Sequence, residues 1–299
     1  MVKEKKRVAL ISVFAAIFLT SFKLVVGVIT GSLGILSEAL HSGLDLIAAV
    51  ITYFSVRISD KPPDKEHNYG HGKIENFSAF IETILLLITC TWIIYEAVQR
   101  LVTGQTHIEV NSWSYVVVGS SMIIDFTRSR ALYKVAKAHN SQALEADALH
   151  FSTDIWSSGV VLFGLICANV GFFFADSVAA LCVAVIVLFV SYKLGKKAVD
   201  VLLDKAPQEI VLKVQQVLKK YDEVKYFHSL KVRSAGADTF IKFNIHVDPD
   251  LSIRSIHELC DKIEKELNSI IPRSEVYIHA EPQDMQHIDK EEFDSECVF

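Results

Sequence analysis

The chain has 299 residues, 51% of them hydrophobic, and a formal net charge of −5. Its mean hydropathy is +0.33. The acidic balance excludes a general nucleic-acid binder, and the crowding of apolar residues before about Leu203 excludes an ordinary soluble protein. Five cysteines without a CxxC pair exclude a disulfide framework. Cys90, Cys167 and Cys182 fall in apolar stretches, where a small buried hydrophobe is expected, and Cys260 and Cys297 stand alone.

The chain opens with a basic run, Lys3 to Arg7, directly before an apolar stretch. The stretch is too long for a secretory signal and has no small-residue cleavage site, so the run reads as a membrane-topology signal. A bilayer core needs about 20 mostly apolar residues per helix. Six stretches meet that length: 8–30, 33–56, 76–98, 113–133, 148–170 and 172–194. Gly31-Ser32 marks a tight turn between the first two, and another turn is expected near Gly171. The fourth is the weakest, since it contains Asp125 and ends in Arg128 and Arg130.

Basic residues cluster in alternate connections. Arg57, Lys61, Lys65 and Lys73 follow the second span, Arg128, Arg130, Lys134 and Lys137 the fourth, and Lys193, Lys196 and Lys197 the sixth. The opposite connections contain a single basic residue, Arg100. This asymmetry predicts a multi-pass membrane protein with both termini in the cytoplasm.

The pattern changes at about Asp204. Apolar residues recur at helical spacing from Ile210 to Tyr221 and from Ser252 to Leu267. Alternation predicts strands over Val224 to Arg233, Thr239 to Val247 and Glu275 to His279. The order α-β-β-α-β predicts a small α+β domain with helices on one face of a sheet. Residues 1–203 therefore read as a six-helix transmembrane domain, 204–282 as a soluble metal-binding domain and 283–299 as an acidic tail. No internal repeat or low-complexity segment is present.

The second span contains His41-Ser-Gly-Leu-Asp45 and the fifth His150-Phe-Ser-Thr-Asp154. Four-residue spacing puts each histidine and aspartate on one helix face, a turn apart. Two such helices facing each other present two imidazoles and two carboxylates, a set that suits tetrahedral Zn²⁺. Ionisable groups in a bilayer cost several kcal/mol on insertion scales, and the same couple in two separate spans has no local structural explanation. Glu38, Glu82, Asp125, Asp147 and Asp176 have two readings, the lining of a hydrated path and, preferred here, a structural role as helix caps or partners of Lys23.

Asp64, His67 and His71 in the loop after the second span have spacings a metal could bridge. In the soluble region, His228, His246, His257, His279 and Glu281 are candidate ligands, with His279 and Glu281 on one strand face.

These features resemble the cation diffusion facilitator family over nearly the whole chain, to about Pro282. The resemblance is carried by Ser37-Glu-Ala-Leu-His41-Ser-Gly-Leu-Asp45, by His67-Asn-Tyr-Gly-His71-Gly-Lys73-Ile-Glu75, by Glu145-Ala-Asp147-Ala-Leu-His150-Phe-Ser-Thr-Asp154 and by Tyr277-Ile-His279-Ala-Glu281-Pro282. It implies a homodimeric metal/proton antiporter of the zinc-transporting type, with a metallochaperone-like cytoplasmic domain, in a bacterial-type inner membrane. Zn²⁺ would be substrate and regulatory ligand, with no prosthetic group. It implies transport ligands at His41, Asp45, His150 and Asp154 and a loop site at Asp64, His67 and His71. It also implies a binuclear site at the dimer interface from His228, His246, His257, His279 and Glu281, and an ion pair of Lys73 with Asp204. Two departures stand out: many bacterial relatives carry Asp at the position of His41, and relatives often carry Asp where Glu281 stands. A second imidazole softens the site and favours Zn²⁺ over Mn²⁺ or Mg²⁺, while Cd²⁺, Co²⁺, Fe²⁺ and Mn²⁺ remain alternative substrates.

Three rival functions are open to the same ligands. An intramembrane metalloenzyme needs an open metal position and a nucleophile with its base, and the sequence offers neither. A metal sensor would bind without flux, and a channel would be throttled by a closed four-ligand site.

Overall fold

The computed structural model describes residues 2–31, 33–103, 112–169 and 175–283. The turn expected near Gly171, the tail beyond Gln283 with Cys297, and the side chains of Cys167 and Asp176 lie outside the described residues. The chain divides into two compact units, Met1–Val199 and Asp200–Phe299. The first is built from α1 (Val2–Thr30), α2 (Leu33–Ser59), α3 (Lys73–Thr103), α4 (Ser112–His139), α5 (Gln142–Asn169) and α6 (Ala175–Leu202).

These helices run past the spans that hydropathy marks. α1 has 29 residues and α3 has 31. At 1.5 Å per residue they are about 43 and 47 Å long, against a hydrocarbon core of about 30 Å. The surplus is polar but rich in good helix formers, as in Lys3 to Lys6 and Gln142 to Ala146. Among the described residues, the stretches Lys3–Thr30, Glu38–Ser59 and Lys73–Thr103 are long and apolar enough to cross a membrane. α4 carries Asp125, Arg128 and Arg130 along its length.

Small residues bring the helices together, since lipid supplies no hydrophobic drive between them. Ala9, Ala16, Ala49, Ala136, Ala143 and Ala148 join α1, α2, α4 and α5 around Leu132, Leu144 and Phe151. α3 and α6 form a second pair, with Cys90 among Val183, Ala184 and Val187. A Cβ on Gly195 of α6 would stand 2.8 Å from Thr83 Cγ2 of α3. Gly31, at φ +66°, takes the left-handed conformation of the α1–α2 turn. Outside the bundle, Phe14, Phe18, Val28, Ile29, Trp92 and Phe189 form an exposed apolar surface fit for lipid. Cys182 is also exposed, contrary to expectation, because α6 turns it away from the face that buries Val183 and Ala184.

The second unit holds α7 (Gln208–Leu218), β1 (Tyr226–Ala235), β2 (Asp238–Val247), α8 (Ile253–Ile270) and β3 (Ser274–Pro282). The sheet order is β1-β2-β3. β1 pairs antiparallel to β2, and β3 returns parallel to β2 after the α8 crossover. Ile241, Phe243, Ile245 and Val247 point to one face and bury against Val214, Val217 and Leu218 of α7 and Leu259, Ile263 and Leu267 of α8. The intervening residues of β2, among them Asn244 and His246, therefore occupy the opposite face.

Candidate metal centres

α2 and α5 bring the two His-x-x-x-Asp couples face to face. His150 Nε2 lies 3.0 Å from Asp45 Oδ1 and 3.6 Å from Asp154 Oδ2. His41 Nε2 lies 3.7 Å from Asp154 Oδ1 and 4.0 Å from Asp45 Oδ1. Each histidine thus reaches the aspartate of the other helix as well as its own. Ligands about 2.0–2.1 Å from one tetrahedral zinc stand roughly 3.3 Å apart; ligand atoms of His41, Asp45 and Asp154 already lie within 4.8 Å of one another, and His150 adjoins them through Asp45 and Asp154. Asp154 Oδ2 is buried and accepts no hydrogen bond among the described residues, which leaves it a lone pair for a cation. His150 is 3% exposed and His41 33%, so His150 is the more enclosed of the two imidazoles.

Glu38, Glu82, Asp125 and Asp147 each have at least one partner among the described residues. Glu82 of α3 accepts from Thr52 and from Ser78. Asp125 pairs with Arg128 at 3.1 Å, and Arg128 also donates to Ser12 and stacks over the Phe151 ring. Ser12 donates to Asp147 at 3.3 Å. Lys23 pairs with Glu38.

A second cluster lies in the loop between α2 and α3. Asp64 Oδ1 is 3.2 Å from His67 Nδ1, and Asp64 Oδ2 is 3.4 Å from His71 Nε2. The Asp64 carboxylate also accepts from the backbone N–H groups of His67 and Glu66 at 2.7 and 2.9 Å. These bonds, the His67 N–H first, hold its carboxyl below the usual carboxylate range. Gly70, at φ +73°, turns the chain back so that His71 meets Asp64. Three protein ligands leave a coordination position for water or another ligand.

The third cluster is on the open sheet face. The parallel register sets His246 opposite Glu281 and Asn244 opposite His279. Glu281 Oε2 lies 3.4 Å from His228 Nε2 and 3.5 Å from His246 Nε2. Its other oxygen is 3.5 Å from His279 Nε2 and accepts from Asn244 at 2.8 Å. Within one chain the expected five-ligand set is incomplete. His257 sits on α8, beyond the sheet from this cluster, with its side chain 74% exposed and 3.8 Å from Asp261.

Two family models cover nearly all of the chain. Residues 9–203 match the cation efflux transmembrane domain, and residues 206–283 match the cation efflux protein, cytoplasmic domain. The chain belongs to the cation efflux family. In this family of cation diffusion facilitators it is 31% identical, over 277 residues, to an uncharacterized transporter of Synechocystis sp., covering 92% of this chain and 89% of that one. It is 30% identical over 258 residues to the cation-efflux pump FieF of Pectobacterium atrosepticum, covering 85% and 84%. It is 29% identical over 253 residues to the magnetosome protein MamB of Magnetospira sp., covering 84% and 85%. Among solved structures, the metal-bound C-terminal domain of the CzcD transporter from Thermotoga maritima is 33% identical, covers 25% of this chain and 88% of that one, and has a TM-score of 0.25. The protein is a cation efflux transporter with a helical transmembrane domain and a C-terminal cytoplasmic domain.

One buried cluster in this efflux protein was invisible in its sequence. Lys5, inside the basic run, points inward: its ammonium lies 2.8 Å from Asp60 and 2.9 Å from Glu75, all three side chains almost wholly enclosed. Ser59 and Ser141 also donate to Glu75. The signal available was Glu75, an acid at the head of the largely apolar α3, which also carries Glu82 and Glu96. Asp204, by contrast, lies 3.9 Å from Arg233 within its own unit.

Proposed function

We propose that the protein exports Zn²⁺ from the cytoplasm in exchange for protons, through a transport site formed by His41, Asp45, His150 and Asp154. The observation that carries this reading is the interleaving of the two couples, with imidazole nitrogens 3.0–4.0 Å from carboxylate oxygens of both helices. Two carboxylates balance the charge of one divalent ion, and two imidazoles favour zinc over harder cations. Ligands must shed protons to bind metal, so protons arriving from the opposite side displace it. Histidine exchanges protons near neutral pH, which suits it to that role. Moving two charges outward against an inside-negative potential costs about 2.3 kcal/mol per charge per 100 mV. Proton counterflow supplies the drive.

The basic connections support an orientation with both termini in the cytoplasm, in a bacterial-type inner membrane. The Asp64, His67 and His71 loop then collects metal on the cytoplasmic side. The protein acts as a homodimer in which cytoplasmic Zn²⁺ at His228, His246, His279 and Glu281 completes its coordination with His257 from a second copy. Exposure of His257 and openness of the sheet face support this pairing.

Uptake into proteoliposomes of Zn²⁺, Cd²⁺, Co²⁺, Fe²⁺ and Mn²⁺ under an imposed pH gradient tests the proposal. Zn²⁺ should accumulate fastest and only with the gradient present. Equal rates for Mn²⁺, or uptake indifferent to the gradient, would refute it.

A further inference from the structure

The transmembrane unit buries a cation one side chain away from the cation site. Lys23 of α1 is 4% exposed. Its ammonium donates to Ser42 Oγ at 2.8 Å and to Glu38 Oε2 at 3.1 Å. Thr20 of the same helix donates to the Ser42 carbonyl at 2.8 Å, which fixes α1 against α2 at this level. Glu38, Ser42 and Asp45 follow each other at helical spacings of four and three, so they form one stripe on α2. Lys23 spans the first two members of that stripe, and Asp45 is the third. Neighbours on such a stripe are about 5–6 Å apart at Cβ. A lysine arm has four rotatable methylenes and swings through that distance.

A buried ammonium beside a site for a divalent cation opposes binding unless something holds it away. Glu38 is the group that does so, and its side chain is 45% exposed, against 5% for Lys23. The arrangement is asymmetric. The lysine is almost wholly enclosed, whereas the glutamate stands at the edge, on the side of the α1–α2 turn.

We infer that Lys23 is a positioning residue for transport: a tethered cation that competes with metal for the Asp45 carboxylate and is restrained by Glu38. When metal leaves, the ammonium moves one step along the stripe, from Glu38 and Ser42 toward Asp45, and helps the emptied site stay discharged. When metal arrives, it returns to Glu38. The lysine thereby weakens metal binding and speeds metal release. This rests on the reading of His41, Asp45, His150 and Asp154 as the transport site.

The two ends of the pair then have opposite effects, which a purely structural ion pair would not produce. Removing the charge with Lys23→Met should lower the Zn²⁺ concentration for half-maximal transport by about tenfold and slow turnover, as expected for a unit charge at this range in a partly screened interior. Freeing the lysine with Glu38→Gln should raise that concentration by a similar factor. The double variant K23M/E38Q should lie near the wild type. The measurement is Zn²⁺-dependent transport by the full-length protein in proteoliposomes, with Zn²⁺ binding measured in parallel on the same preparations. Shifts of both single variants in the same direction, or no shift in either, would overturn the inference. If Lys23→Met does not fold, Glu38→Gln alone decides, since failure to raise the half-maximal concentration refutes the tether. Asp154→Ala in the same assay separates the two readings. If it leaves transport intact, the site assignment fails. If it abolishes transport while the Lys23 and Glu38 variants match wild type, only the present inference fails.

Discussion

His150 is the most enclosed of the four proposed transport ligands, and its bond to Asp45 is the shortest contact between the two couples. His41 is the more open imidazole and the one that sets selectivity in this account. Replacing it with a carboxylate hardens the site and adds a negative charge. His41→Asp is expected to retain Zn²⁺ transport and to raise the Mn²⁺ rate relative to Zn²⁺ by about tenfold, measured by competing uptake of the two ions. At the loop site, the depressed carboxyl of Asp64 keeps its charge as pH falls and gives it up only below the usual carboxylate range. Asp64→Asn is expected to weaken loop binding at neutral pH by roughly 10- to 100-fold. Zn²⁺ titration of the full chain, with the other two clusters disabled, checks this.

Among the elements, the packing of α1 depends on a lysine that its sequence disguises. Lys3 to Arg7 reads as one basic run, yet helical periodicity turns Lys5 inward to Asp60 and Glu75 while Lys3 and Arg7 stay exposed. Three consecutive basic codes carry no hint of which one faces a partner 70 residues away. Removing one member of a buried pair leaves the other charge unpaired, at a cost of about 3–5 kcal/mol. Lys5→Ala and Glu75→Ala should each lower the thermal stability of the detergent-solubilised protein markedly, whereas Lys3→Ala should not. The regular helices and strands were legible because their apolar periods are clean, as in Ile241, Phe243, Ile245 and Val247 of β2. β1 was less clear for a physical reason. Its pairing with β2 shifts between His228 and Lys231, with Ser229 at φ 55°. The bulge reverses the alternation, so Phe227 and Val232 are both buried although five positions apart. That same bulge presents His228 to Glu281. Helix ends were the least legible, since polar helix formers extend α1, α4 and α5 beyond any apolar run.

For the molecule as a whole, the candidate sites differ in how much of each could be read before the fold. The meeting of the two His-x-x-x-Asp couples was legible because spacing of four within a helix fixes a shared face, and duplication in two helices implies a meeting point. The cytoplasmic cluster was only partly so. Its histidines lie on three strands whose register no single sequence window reveals, and His257 stands apart from them in one chain. If a second copy completes that cluster, His279→Ala should raise the Zn²⁺ concentration for half-maximal transport several-fold. It should also weaken Zn²⁺-induced dimerisation, measured by light scattering, with the transport site still filled. Chelation of Zn²⁺ should loosen the wild-type dimer in the same way. An unchanged concentration dependence would remove the regulatory role from this face.

The central claim is that two imidazole–carboxylate couples on α2 and α5 hold one ion and exchange it for protons. Zn²⁺-driven proton flux in proteoliposomes, compared between the wild type and Asp154→Ala, tests it most directly. Robust flux is expected in the wild type and none above background in the variant, with the protein still folded and its cytoplasmic domain still binding metal. Undiminished flux in Asp154→Ala would contradict it.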